Sequence, residues 1–184
     1  MNLSKGLAFV FVVLGCSPSQ DKPAPDPLEE VKRSFDVKAA GFDSLRVVDA
    51  DSLYSYFFLP TTDSVDISAK LYGEYALAKF GTQVGDLNGD GLDDAVVKYT
   101  YTPYQQNNTL SYYKILLQNG DRLEEVGEIF AGANCEGPKL GVKEIRAGRI
   151  VFDAKIYAQG DPCCCPSVSE THQYKVENQK IVKI

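Results

Sequence analysis

Alternation of apolar and polar positions with a period of two dominates most of the chain. Ala95, Val97, Tyr99 and Tyr101 fall on one face of a strand. Ser111, Tyr113, Ile115 and Leu117 fall on one face of another, and Ile150, Phe152, Ala154 and Ile156 on one face of a third. That pattern marks strands with one face turned to a core. Turn signals separate the runs: Asn119-Gly120-Asp121, Ala147-Gly148 and Asn178, the last standing before the final run 181–184. A polar stretch, Gln105-Gln106-Asn107-Asn108, reads as a hairpin loop. Helical spacing appears in one place. Asp26 is placed to cap, Pro27 suits a first turn and Glu29 stands three residues after the cap. Leu28, Val31 and Phe35 then follow along one helix face, with Gly41 as a stop. The prediction is a mainly β fold, an antiparallel sheet or sandwich of about seven or eight short strands with a short N-terminal helix. An α+β arrangement is the alternative. No internal period appears, which excludes a solenoid or a full propeller.

The N-terminal segment reads as an address. A lysine at position 5 precedes a nine-residue apolar run, 6–14 (GLAFVFVVL), too short to span a bilayer as a helix, which takes about 20 residues. The run closes on Val13-Leu14-Gly15-Cys16. These residues resemble the bacterial lipoprotein lipobox, with Leu14 departing from the small residue usual there. The resemblance implies that residues 1–15 are a signal peptide and that Cys16 is acylated and becomes the first residue of the mature chain. Residues 17–27 (SPSQDKPAPDP) hold four of the nine prolines and read as a semi-rigid tether. Ser17 stands where the family uses an aspartate for inner-membrane retention in enteric-type bacteria, which directs the expectation to an outer membrane. Residues 28–184 then form one β-rich domain.

Composition narrows the chemistry. The chain has 184 residues, a net charge of −6 and a pI near 4.8, so it lacks the basic face of a nucleic-acid binder. One histidine excludes sites that need two, such as H-E-x-x-H. Phosphate-cradling glycine loops are absent, and no spacing singles out a catalytic carboxylate pair.

The most informative stretch is 84–97. Asp86, Asn88 and Asp90 place oxygen-bearing side chains at every second position, Gly91 permits a sharp turn that presents the Leu92 carbonyl, and Asp94 closes the set from the start of a strand. Calcium takes six to eight such hard oxygen ligands. Asp93 points away. An EF-hand needs glutamate at loop position twelve, where Val97 stands, and a following helix, where a strand follows. The pattern D-x-N-x-D-G-x-x-D before a β-run resembles the loop of FG-GAP, integrin-alpha and VCBS-type repeats, here in one copy. That resemblance implies a structural calcium held by Asp86, Asn88, Asp90, Leu92 and Asp94. Without an ion, Asp86, Asp90, Asp93 and Asp94 would repel one another within nine residues.

Apart from Cys16, the cysteines are Cys135 and the run Cys163-Cys164-Cys165. Adjacent cysteines bond only with strain, so the expected bridge runs from Cys135 to Cys164 or Cys165 in an oxidising compartment, with the remaining two free, vicinally bonded or cross-linked to another chain. Three further readings compete: a zinc site of Cys135, two of the run and His172; a thiol-redox site in the run; and a Cys–His hydrolase with His172 as base. His172 otherwise reads as an ordinary strand residue. The segments Asp86 to Val97, Ser111 to Leu117 and Asp161-Pro162-Cys163-Cys164-Cys165-Pro166-Ser167, in that order, resemble a family of bacterial secreted proteins and lipoproteins with no assigned activity. In that pattern Cys163 occupies the variable position, which makes it the odd thiol.

Tyr99, Tyr101, Tyr104, Tyr112 and Tyr113 read either as a platform for a glycan or as cross-strand pairs inside a sheet. The expectation is a lipid-anchored extracytoplasmic module of the bacterial cell envelope that holds calcium and contacts an envelope protein or glycan. A thiol-redox enzyme and a carbohydrate-binding module are the alternatives.

Overall fold

The computed structural model describes residues 23–39, 45–59 and 72–184. Cys16, the signal segment, most of the tether and Gly41 lie outside them. The helix forms where its caps and spacing predict. In α1 (Pro27–Ala39), Asp26 Oδ1 accepts the Leu28 N–H at 2.9 Å, and Glu29 and Glu30 occupy the first turn, where the helix dipole favours acids. Glu29 pairs with Lys32 at 2.8 Å and Glu30 pairs with Arg33, each one turn on. Val31 and Phe35 are buried on the opposite side.

Ten strands follow. The first sheet is a meander of β1 (Leu45–Asp49), β2 (Leu53–Phe58), β3 (Gly73–Gly85), β4 (Asp94–Pro103), β5 (Leu110–Asn119) and β6 (Arg122–Gly132). The second is a meander of β7 (Lys139–Arg146), β8 (Arg149–Ile156), β9 (Val168–Glu177) and β10 (Lys180–Lys183). Every pairing is antiparallel. The predicted turns sit at hairpin tips: Gly120-Asp121 joins β5 to β6, Ala147-Gly148 joins β7 to β8, and Asn178-Gln179 joins β9 to β10. Both residues of the last two pairs have positive φ, the geometry that matches the twist of two-residue hairpins.

The fold is mainly β, as the alternation predicts, with ten strands rather than seven or eight. The first sheet is covered on both faces, by α1 on one side and by the second sheet on the other. Ala95, Val97, Tyr99 and Tyr101 of β4 face the helix, where Phe35 meets Tyr56, Tyr75 and Tyr99 at ring-centroid distances of 5.5, 5.2 and 5.7 Å. Val96 of the same strand faces the second sheet with Tyr113, Ile115, Leu117, Ile150, Phe152 and Ala154. Double coverage is why β4 opens as the apolar run Ala95-Val96-Val97, fully buried throughout.

Strand β7 sets the ends of the sandwich. Its start lies against the end of β6, where a Cβ on Gly132 would meet Pro138 O at 2.4 Å. Its finish lies against the end of β3, where a Cβ on Gly85 would meet Ile145 Cγ2 at 2.9 Å. The hairpin β7–β8 therefore spans from the 133–138 connection to the 86–93 loop.

Candidate functional site

The loop between β3 and β4 is organised by its own carboxylates and amides. Asp86 Oδ1 accepts the Gly89 N–H at 2.6 Å and its Oδ2 accepts the Gly91 N–H at 3.0 Å. Asn88 Oδ1 accepts the Asp90 N–H at 2.9 Å, and Asp90 Oδ1 accepts the Leu92 N–H at 2.8 Å. Asn88 Nδ2 donates to Asp90 Oδ2 at 2.8 Å. The three side chains at alternate positions thus bond backbone N–H groups of the same loop. Gly89 and Gly91 adopt φ of +84° and +83°, the left-handed region, and a Cβ on either would meet nothing within 4 Å. Glycine is required there for backbone conformation rather than for space.

Asp94 has a different position from the other three. It is fully buried at the start of β4; Oδ2 accepts the Leu87 N–H at 2.7 Å and Oδ1 accepts the Gln118 N–H at 2.8 Å. One carboxylate therefore ties the start of the loop to the end of β5. Burial pushes its pKa up, the Gln118 and Leu87 N–H groups oppose that, and the charges of Asp90 and Asp86 add to it. Asp86 goes the other way: the Gly89 N–H, with help from the Gly91 N–H, holds its carboxyl below the usual range. Asp93 and Leu92 are exposed. The bracing role of Asp94 has no signature in the loop motif, because its second partner, Gln118, lies 24 residues on.

The cysteines meet at the opposite end of the β7–β8 hairpin. Cys135 bonds Cys163, and Cys164 bonds Cys165. The expected bridge from Cys135 to Cys164 or Cys165, with Cys163 as the odd thiol, is corrected. The reason is local folding of the 157–168 connection. Asp161 Oδ2 accepts the Ala158 N–H at 2.7 Å and the Ser167 N–H at 2.8 Å, and Cys165 N–H donates to Pro162 O at 2.9 Å. Tyr157 Oη lies 2.6 Å from Cys163 O and 2.9 Å from Asn134 O, so it draws residue 163 to the segment that carries Cys135. Asn134 is fixed in turn by Asn107 O and Asn108 Oδ1 of the predicted polar hairpin loop.

With the four described cysteines in disulfides, none of them stands ready as a thiolate zinc ligand or hydrolase nucleophile. Among the described residues no three His, Cys, Asp or Glu side chains are grouped to hold a metal ion. His172 lies on β9, 8 % exposed, with Nε2 3.0 Å from Glu170 Oε2. It lines a cavity of about 380 Å³ together with Cys135, Pro138, Ile156, Tyr157 and Lys183. Four of the five tyrosines read as a platform pack into the sandwich, and Tyr104 stays partly exposed. Tyr99 and Tyr101 are buried beneath the helix, Tyr113 is buried between the sheets, and Tyr112 packs at 5.3 Å on Tyr99.

Among the described residues no helix is long and apolar enough to cross a membrane. Comparison with known proteins finds no matching family model, curated protein or solved structure. Fold and site together define a class, a helix-capped β-sandwich of two meanders with a turn-rich acidic loop at one end and a disulfide-bonded corner at the other.

Proposed function

We propose that the chain is a lipid-anchored, extracytoplasmic module of the bacterial cell envelope, that its 86–94 loop takes a structural calcium ion, and that it binds a partner rather than catalyses. The observation that supports the calcium reading is that Asp86, Asn88 and Asp90 all turn side-chain oxygens onto the backbone N–H groups of one loop, with the buried Asp94 at its end, although the carboxylates are not gathered into one cluster. The donor chemistry fits a hard cation. Each carboxylate or amide oxygen here accepts one hydrogen bond and keeps lone-pair capacity for an ion, and the Leu92 carbonyl and water supply further oxygens. A divalent ion would also offset the Asp90 and Asp86 charges, which add to the burial that raises the Asp94 pKa. Calorimetry with calcium tests the reading: wild type gives binding heat and a thermal shift, and Asp90→Ala loses both. No heat and no shift in wild type refutes it.

The location rests on the lipobox-like Val13-Leu14-Gly15-Cys16 and on the compartment that disulfides require. Acylated Cys16 would tether the domain to the membrane, with an envelope protein or glycan as its contact. Mass spectrometry of the mature N-terminus decides this, and an unacylated Cys16 refutes it. The exposed Cys164–Cys165 pair favours the thiol-redox alternative over the carbohydrate one, three of whose five tyrosines, Tyr99, Tyr101 and Tyr113, lie in the core. Turnover in a disulfide-exchange assay, lost in Cys164→Ser, would establish that alternative.

A further inference from the structure

We infer that the Cys164–Cys165 disulfide is a reversible two-electron switch, opened by an external dithiol and closed by an external disulfide, while Cys135–Cys163 beside it stays shut as a structural bond. The inference goes beyond the thiol-redox alternative, which needs catalytic turnover. A switch needs only that one bond open and close on an otherwise unchanged domain.

Its first support is that the connection carrying the run is fastened without this bond. Asp161 Oδ2 accepts the Ala158 N–H at 2.7 Å and the Ser167 N–H at 2.8 Å, which closes the base of the connection. The Cys165 N–H donates to Pro162 O at 2.9 Å, which closes the turn at its tip. Cys135–Cys163 ties the connection to the segment that precedes β7, and Tyr157 Oη, 2.9 Å from Asn134 O and 2.6 Å from Cys163 O, bridges the same two segments. None of these contacts uses the sulfur of Cys164 or Cys165. Their bond joins residues that the chain already joins, at a sequence separation of 1, so it closes no loop and restrains the unfolded chain hardly at all. Cys135–Cys163 spans a separation of 28 and restrains it strongly. A bond with no fastening task can open while the fold persists.

The second support is covalent geometry imposed by adjacency. Neighbouring Cα atoms stand 3.8 Å apart across a trans peptide, closer than the roughly 4.4–6.8 Å that disulfides adopt, and a bond held outside that range is more easily reduced. The Cα atoms of Cys135 and Cys163 are 4.4 Å apart, within it. Cys164 and Cys165 are exposed, so an attacking thiolate reaches either sulfur. Cys135 and Cys163 are exposed as well, so access alone does not separate the two bonds; adjacency and the absence of a fastening task do. In the opening step one thiolate of the dithiol attacks a sulfur of the pair, the S–S bond breaks, and the departing cysteine takes up a proton from water. The second thiol of the reductant then attacks the mixed disulfide. The products are two cysteine thiols and the oxidised reductant, a transfer of two electrons and two protons. Closing is the same exchange run backwards by a disulfide.

Differential alkylation of the intact protein tests the switch. The protein is equilibrated at graded ratios of reduced to oxidised dithiothreitol, free thiols are trapped with iodoacetamide, and the remaining cysteines are reduced and labelled with N-ethylmaleimide. Tryptic cleavage after Arg122, Lys139, Lys155 and Lys175 puts Cys135 on one peptide and the run on another, where fragmentation separates its members. The first labels are expected on Cys164 and Cys165 alone, at a ratio at least about tenfold below that which labels Cys135, with the backbone amide spectrum unchanged. Excess oxidised dithiothreitol is expected to erase those labels. Cys164→Ser with Cys165→Ser is expected to remove the early phase and leave the Cys135 phase where wild type has it. Labelling of Cys135 at the same ratio as the pair overturns the inference, as does loss of the native amide spectrum while the pair opens. So does failure of the bond to re-form, or a Cys135 phase that moves in the double serine variant. Early, reversible opening with no turnover in the disulfide-exchange assay supports the switch and removes the enzymatic alternative, so the two readings fail separately.

Discussion

Removing the Asp94 carboxylate is expected to be among the most damaging single changes in the domain. In Asp94→Ala two backbone donors lose their acceptor: Leu87 N–H, in the interior, and Gln118 N–H, part-buried at the end of β5. A buried donor left unpaired costs about 1–3 kcal/mol, which gives a gross loss of about 2–6 kcal/mol. Two effects reduce it. Water reaches the part-buried Gln118 end, and the variant no longer buries a carboxylate whose charged form burial disfavours. The net expectation is about 2–4 kcal/mol, with each kcal/mol lowering Tm by about 2–4 °C in a chain of this size. Asp94→Asn keeps one acceptor oxygen but turns an amide N–H₂ toward the second donor, so it falls between wild type and alanine. Urea unfolding in EDTA measures this as a lowered midpoint at unchanged m. EDTA removes any contribution of a bound cation, so only the two hydrogen bonds are read. If Asp94→Ala lies within about 0.5 kcal/mol of wild type, the span of an ordinary surface substitution, the bracing argument is wrong.

Gly91→Ala is expected to cost about 1–2 kcal/mol through backbone conformation alone, since φ is +83° and no atom lies within 4 Å of the added Cβ; Gly91→Asn should cost less, and thermal melts compare the two. The double change Cys135→Ser with Cys163→Ser opens a loop with a sequence separation of 28 and is expected to lower stability by about 3.6 kcal/mol on the chain-entropy account, read by urea unfolding. Cys164→Ser with Cys165→Ser is expected to leave stability almost unchanged, because adjacent residues are already neighbours in the unfolded chain. In calcium-free buffer the two loop aspartates should act on opposite limbs of the Tm–pH curve. The Asp86 pKa is depressed, so its contribution is present above 3.8 and lost as pH falls through the depressed value; Asp86→Ala flattens that limb. The Asp94 pKa is raised, so its contribution is present below 3.8 and lost as pH rises through the raised value; Asp94→Asn flattens that limb, and an unchanged slope there would contradict the assignment.

The fold was legible where apolar positions alternate. Ile150, Phe152 and Ala154 of β8 alternate cleanly with one face buried, and Tyr113, Ile115 and Leu117 of β5 share that core although Leu116 between them is buried in the other. The strand count fell short at β1, which lacks that signal: all five of its residues are exposed at the sheet edge. β4 hid a second layer: its alternation identified Ala95, Val97, Tyr99 and Tyr101 as one face, while Val96 between them serves the other core. The acidic loop was legible as a loop because oxygen spacing and glycine placement are local properties. The job of Asp94 was not, because its second partner comes from β5. The cysteine pairing was misread for a related reason. Chain adjacency argued against a bond between neighbours, whereas Asp161 and Tyr157 fold the connection so that Cys163 faces Cys135.

Both chemistry-bearing clusters lie on connections rather than in the sheets. The space between the two sheets is filled by Val96, Ile115, Ile150 and Phe152, all fully buried, so the sandwich interior offers side-chain packing and the ends offer ligand-facing groups. One hairpin joins the two ends. Its tip lies by the acidic loop, where a Cβ on Gly148 would sit 3.5 Å from Leu87 O, and its open end, Lys139 paired with Lys155, lies by the cysteine corner. The eight residues of β7 set these ends about 25 Å apart at the usual strand rise. Sites that far apart with no shared partner act additively within about 0.5 kcal/mol. Combining Asp94→Ala with Cys135→Ser and Cys163→Ser is therefore expected to give the sum of the separate losses in urea unfolding. A coupling above about 1 kcal/mol would mean that the β7–β8 hairpin transmits strain between the ends, and that loop and corner form one device rather than two.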